Sequence, residues 1–235
     1  MNRHTAQIKD SGVGLTPDKP LTVLIPVAGM GHRMKSYGPK CLLKANQKET
    51  ILEKTVSNIK KEYPYSDIIV VVGFESEKVI RSLPSFVRIV ENQNYEKTNI
   101  VESVRIGINA SAHENVLIIY GDLIFNVYSI REITSAGTCI VFDSKNRFRE
   151  EEVGLTVVED AVTTFAYGLP NKWSQIAYLE NQAFEIFKTL CSDKRKNKLY
   201  LFELFNIIIE SGIVMKAKEP KGMIIKEIDS LKDLQ

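Results

Sequence analysis

Leu21-Thr-Val-Leu-Ile-Pro-Val-Ala-Gly-Met-Gly-His-Arg-Met-Lys-Ser-Tyr-Gly-Pro-Lys40 is the stretch that decides the fold. Its apolar run, Leu21 to Val27, stops at Ala28-Gly29-Met30-Gly31. Arg33 follows, then Lys40 behind Pro39. The pattern is a strand running into a glycine loop, with two cations able to close over what the loop holds. Glycines let backbone N–H groups approach an anion, because no Cβ stands in the way. Arg and Lys add the positive charge that phosphate groups require.

Two other glycine loops do not match. The dinucleotide fingerprint G-x-G-x-x-G/A meets Met34 at its third position, and Glu49 and Glu53 are only loosely in range of the acid it requires. The triphosphate loop ending in Gly-Lys-Ser/Thr is not supplied by Gly38-Pro39-Lys40-Cys41. Gly29 and Gly31 alone would fit an ordinary turn. With Arg33 and Pro39-Lys40 added, the segment reads as a phosphate loop, and the matching ligand is a nucleoside triphosphate.

Outward from the loop, strand and helix patterns alternate. Apolar, β-rich runs occupy 21–27, 67–73, 86–90 and 115–121, with helix-like segments near 50–62, 76–82 and 99–110. Near-continuous apolar strands separated by helices predict an α/β fold, a central mostly parallel sheet with helices on both faces. Ligands then bind at the carboxyl ends of the strands, where the glycine loop and the Gly121-Asp122 turn both lie. After about residue 129 shorter β pieces follow one another at 138–142, 154–158, 161–166 and 174–179. Helices are expected near 180–190 and 198–211, and strand-like runs at 213–217 and 223–228. Residues 1–20 read as a polar, flexible extension before a domain spanning 21–235.

The string A-G-x-G-x-R followed by P-K resembles the signature of the nucleotidyltransferases that join a nucleoside monophosphate to a sugar or alcohol phosphate. Val23 to Lys44 is similar to that signature throughout, except that Pro26-Val27 stands where many members carry Leu-Ala. The resemblance implies a Rossmann-like three-layer domain with a small β insertion, here about 130–180, on the acceptor side. It also implies the reaction: CMP, or another nucleoside monophosphate, passes to a small phosphorylated alcohol or sugar, and pyrophosphate leaves.

Site residues follow. Ala28, Gly29 and Gly31 would cradle the triphosphate, and Arg33 and Lys40 would act catalytically on its charge. Asp122 ends a strand in Tyr-Gly-Asp, where a carboxylate faces the crevice and suits Mg²⁺, although an Asp in a turn is also common. Asp229 lies in Glu227-Ile-Asp-Ser-Leu-Lys-Asp-Leu234, similar to the family's closing motif, whose Asp is a second metal carboxylate. Ser230 and Asp233 there also read as a helix-capping pair.

Glu102-Ser-Val-Arg-Ile-Gly-Ile108 resembles the helix start of CTP-dependent members, where the Ser touches the base, so Ser103 points to CTP. Lys97-Thr-Asn99 is similar to the phosphocholine type, and Asn99 with Glu102 also fits a capping box. A UTP- or dTTP-dependent sugar-1-phosphate enzyme is the alternative. A non-catalytic nucleotide sensor is a further one, disfavoured because both cations and both acids are kept. Trp173 with Tyr167 and Tyr178 fits either a core cluster or a cage for a cationic head group.

Composition narrows the partners. A net charge of +2 with mixed signs does not predict nucleic-acid binding. No apolar run approaches the roughly 20 residues of a membrane span. Three cysteines, at 41, 139 and 191, have no pairing or metal-ligand spacing, which fits a reducing cytoplasm.

Overall fold

The computed structural model describes residues 20–31, 38–146 and 148–234. The polar segment 1–19 therefore lies outside the described residues, as does Arg33 within 32–37. The chain forms β1 (Thr22–Pro26), α1 (Ile51–Glu62), β2 (Asp67–Val72), α2 (Ser76–Ser82), β3 (Arg88–Glu91), α3 (Ile100–Ala110), β4 (Asn115–Ile119) and β5 (Leu123–Phe125). It continues with β6 (Cys139–Asp143), β7 (Val153–Val158), β8 (Ala161–Tyr167), β9 (Asn171–Glu180), α4 (Asn181–Ser192), α5 (Leu201–Glu210), β10 (Lys216–Lys218) and β11 (Ile225–Glu227).

A nine-stranded sheet has the order β3-β2-β1-β4-β9-β6-β10-β8-β7. Its first four strands are parallel, as the βαβ rhythm requires. From β9 onward it is mixed: β9 runs antiparallel to β4 and β6, β10 is parallel to β6, and β8 is antiparallel to β7 and β10. The β-rich stretch 130–180 thus supplies four strands, β6 to β9, to the central sheet itself. A separate pair forms a short antiparallel ribbon: β11 falls within the strand-like run expected at 223–228, whereas no expected strand covers its partner, β5.

Every residue of β1 is buried, because the sheet is covered on both faces. Val23 and Ile25 pack into one core with Leu52, Val56 and Ile59 of α1. Leu24 points the other way, into a core shared with α3, α4 and α5. This is the period-two alternation of a strand. Thr50 and Glu53 start α1 with a reciprocal cap: Glu53 N donates to Thr50 Oγ1 at 3.2 Å, and Thr50 N donates to Glu53 Oε2 at 2.7 Å.

Asn99 caps α3 by accepting from Ile100 N at 2.8 Å, but the expected box with Glu102 does not form. Glu102 instead accepts a forked pair of bonds from Arg105, at 2.7 and 2.8 Å. A guanidinium one turn on is a stronger partner than a backbone N–H. Cys41, Cys139 and Cys191 are free and buried. Among the described residues, no helix is long and apolar enough to cross a membrane.

Candidate active site

The glycine loop continues β1 past the sheet edge. Val27 N donates to Val71 O at 2.9 Å, and Ala28 O accepts from Phe74 N at 3.0 Å, so the loop's base is pinned to β2 and the turn after it. Ala28 is buried and Gly29 exposed. Gly31 has φ +54°, in the left-handed region that costs a side chain, and a Cβ there would lie 3.3 Å from Lys40 Cγ. Lys40 follows Pro39 at the start of a 3₁₀ turn and lays its aliphatic stem over Gly31.

The Lys40 ammonium ends between two acids. It donates to Asp229 Oδ1 at 3.0 Å and to Asp122 Oδ2 at 3.4 Å. Asp122 and Asp229 meet because of the β5–β11 ribbon. Leu123 pairs with Glu227, and Ile228 N donates to Asp122 O at 2.9 Å, so the residues flanking the ribbon come together. Gly121 allows this close turn, since a Cβ there would collide with the Val27 side chain. Asp233 closes the segment, accepting from Asp229 N at 3.0 Å and Ser230 N at 2.6 Å. Only this backward half of the expected capping box forms, because Asp233 N donates to Ser230 O rather than to the Ser230 hydroxyl.

A third acid joins them. Oxygens of Asp122, Glu227 and Asp229 lie within 4.8 Å of one another. Glu227 opens the closing Glu-Ile-Asp motif, in which Asp229 alone is assigned a site role from the sequence. Its position as the first acid of that motif is the signal that could have found it. Burial holds the Asp122 carboxyl above its ordinary range, against the pull of Lys40. Burial also raises Glu227, and the Asp122 charge adds to it. Burial disfavours the Lys40 ammonium, but the two aspartates more than restore it. Asp122 Oδ1 is buried with no hydrogen-bond partner among the described residues. Crowded acids with an unsatisfied oxygen favour a cation.

Two cavities open on this cluster. One, about 440 Å³, is lined by Val27, Ala28, Gly29, Gly31, Lys40, Asn92 and Ser103 among others. The other, about 490 Å³, is lined by Arg149, Glu152, Tyr167, Lys172, Trp173 and Phe202 among others. Both reach Tyr120, Asp122, Tyr200 and Asp229. The acids therefore stand at the junction of two compartments.

Ser103, in the first turn of α3, is 5% exposed and accepts from Asn92 Nδ2 at 3.0 Å. Ala28, Gly29, Gly31, Ser103, Lys40, Asp122 and Asp229 all line the first cavity. The aromatic trio separates. Trp173 is core, edge-on to Tyr120, Phe165 and Phe205, while Tyr178 lies on the opposite face of the sheet. Tyr167 shares the second cavity with the buried Trp173. Lys172, which no motif marks, bridges Glu152 at 2.6 Å and Glu227 at 3.3 Å.

The arrangement has relatives. The model of the MobA-like NTP transferase domain matches residues 23–200. The bifunctional protein GlmU of Solibacter usitatus is 35% identical over 107 residues, covering 44% of this chain and 22% of that protein, so the match spans about a fifth of the relative's length. Among solved structures, the CTP:phosphocholine cytidylyltransferase of Streptococcus pneumoniae superposes with TM-score 0.74 at 20% identity, over 91% of this chain and 96% of that one. The UDP-glucose pyrophosphorylase of Acinetobacter baumanii does so with TM-score 0.72 at 11% identity, over 92% and 90%. At these identities the two structures speak for a shared fold.

Proposed function

The chain belongs to the MobA-like NTP transferase domain family, and from that premise we propose that it transfers a nucleoside monophosphate to a small phosphorylated acceptor. One observation carries the reading. Lys40, Asp122 and Asp229 converge where two cavities meet. The first cavity suits a triphosphate and its base, and the second suits an acceptor. Reacting groups from either side would meet beside the acids.

An oxygen of the acceptor phosphate attacks the α-phosphorus in line. The new P–O bond forms as the bond to the bridging oxygen breaks, and its electron pair leaves on pyrophosphate. Such a reaction asks the protein mainly for positioning and charge. The Gly29–Gly31 backbone would hold the phosphates, and Arg33 and Lys40 would offset charge developing on them. Asp122 and Asp229, with Glu227 beside them, suit Mg²⁺: they offer hard oxygen donors, one of them buried and unsatisfied. Such an ion neutralises phosphate charge when bound.

Two finer readings compete. CTP rests on Ser103 lining the first cavity. UTP or dTTP with a sugar 1-phosphate has the wider support, from Pro26-Val27 and from the likeness to a UDP-glucose pyrophosphorylase. Pyrophosphate release from CTP, UTP and dTTP, each with phosphocholine or glucose 1-phosphate, tests both levels. Release with none of these pairs would overturn the transfer reading. The preferred pair decides between the finer ones.

A further inference from the structure

We propose that Arg149 grips the phosphate of the acceptor in the second cavity, an assignment that rests on the transfer reading above. A phosphorylated acceptor carries up to two negative charges. It must approach a junction where Asp122, Glu227 and Asp229 already crowd together. A cation has to accompany it on its own side.

Among the described residues, the cations lining that cavity are Arg149 and Lys172. Lys172 is already committed. It lies between Glu152 at 2.6 Å and Glu227 at 3.3 Å, and its side chain is only 20% exposed. Two carboxylates more than balance its charge. Arg149 is different. Among the described residues its guanidinium makes one long ion pair, 3.4 Å to Asp229 Oδ2, and its side chain is 60% exposed. Its planar fork has donors left over for a second, bidentate anion.

The backbone beneath this side chain is anchored. Arg149 N donates to Glu152 Oε2 at 2.7 Å, and the other oxygen of the same carboxylate accepts from Lys172. Glu152 thereby ties the base of Arg149 to the Lys172–Glu227 pair. The guanidinium is tethered beside Asp229 and can still turn toward the cavity. Lys40 reaches Asp229 through the opposite oxygen, Oδ1. The two cations flank one carboxylate, one for the nucleotide and one for the acceptor.

The test compares wild type, Arg149→Met and Lys145→Met. Lys145 is an exposed cation paired with Glu219, at 3.9 Å, away from both cavities, and controls for net charge. Phosphocholine, glucose 1-phosphate and inorganic phosphate are titrated by ³¹P line broadening, and CTP, UTP and dTTP with Mg²⁺ by calorimetry. Arg149→Met should lose at least tenfold in affinity for whichever phosphate probe binds the wild type. Nucleotide affinity should stay within twofold, and Lys145→Met should match wild type on both counts. Equal probe affinity in wild type and Arg149→Met, a parallel loss of nucleotide affinity, or no probe binding to wild type would overturn the assignment. Absence of nucleotide binding in all three proteins would instead remove the transfer reading, whatever the phosphate probes report.

Discussion

The Lys40 ammonium lies 3.0 Å from Oδ1 of Asp229, a residue 189 positions further along the chain. The same nitrogen is 3.4 Å from Asp122 Oδ2. One lysine thus joins the glycine loop after β1, the turn after β4 and the segment after β11. Its removal leaves two carboxylates facing each other and the glycine loop short of one charge.

Lys40→Ala should therefore lower kcat at least about a hundredfold, the scale of losing a preorganised charge opposite a developing anion. Pyrophosphate release under saturating substrates measures it. Thermal unfolding should remain cooperative, because the ion pairs lie in a cleft rather than in the hydrophobic layers. Near-normal turnover would show that the loop cation has no part in the chemistry.

Metal dependence should be complete. Asp122, Glu227 and Asp229 face a site suited to a polyanion, and a cation has to reconcile them. Excess EDTA should abolish turnover, and added Mg²⁺ should restore it. Asp122→Asn should weaken Mn²⁺ binding, read by electron paramagnetic resonance without any substrate. Undiminished activity in chelator would sink the carboxylate model.

Much of this site is legible in the amino-acid sequence, for a local reason. Gly29, Gly31 and Lys40 fall in one short segment, and Asp122 directly follows a strand whose apolar pattern is unmistakable. The parallel order of β1 to β4 follows from strands and helices alternating. What stays hidden depends on pairing across long separations. The run 223–228 marks β11, but its three-residue partner β5 is too short for periodicity to reveal, and their pairing is what brings Asp229 to Asp122. The Glu152–Lys172 contact depends on β7 pairing antiparallel with β9, where Gly154 stands opposite Lys172, and no local pattern encodes that pairing. Glu102 shows the opposite error. Its spacing from Asn99 fits a cap, but Arg105 offers a better partner.

Thr50 and Glu53 allow a test of local stability. Thr50→Ala should cost about 1 kcal/mol, the usual value of a helix N-cap. Thr50 N donates to the Glu53 carboxylate and lowers its pKa; burial opposes this, and the Thr50 hydroxyl and Lys44 add to the lowering. A carboxyl whose folded pKa is below its unfolded value stabilises fully above the unfolded value. That contribution is lost as pH falls through the folded pKa. The stability gap between wild type and Glu53→Gln in urea unfolding should therefore shrink on acidification from neutral pH to about 3.5. A gap that does not change with pH would mean the carboxylate gains nothing from the cap.

Under the transfer reading, Ser103 would carry the choice of base. Asn92 is 1% exposed and both its amide hydrogens are used: Nδ2 donates to Thr98 Oγ1 at 3.2 Å and Ser103 Oγ at 3.0 Å, while Oδ1 accepts from Asn94 N at 3.0 Å. With one lone pair of Ser103 Oγ occupied, its proton remains to be donated. Against a pyrimidine edge, a donor at ring position three suits cytosine, whose N3 accepts, and opposes uracil or thymine, whose N3 carries a hydrogen. A donor to the O2 carbonyl would serve all three bases equally. Ser103→Ala should cost on the order of 0.5–1.5 kcal/mol of affinity for the preferred nucleotide, the net value of a typical hydrogen bond. Calorimetric titration of CTP, UTP and dTTP against both proteins separates the cases. A loss confined to CTP supports the cytidine reading. An equal loss for all three places the contact at O2 and leaves the sugar-nucleotide reading ahead. No loss for any of them would remove Ser103 from the base site altogether.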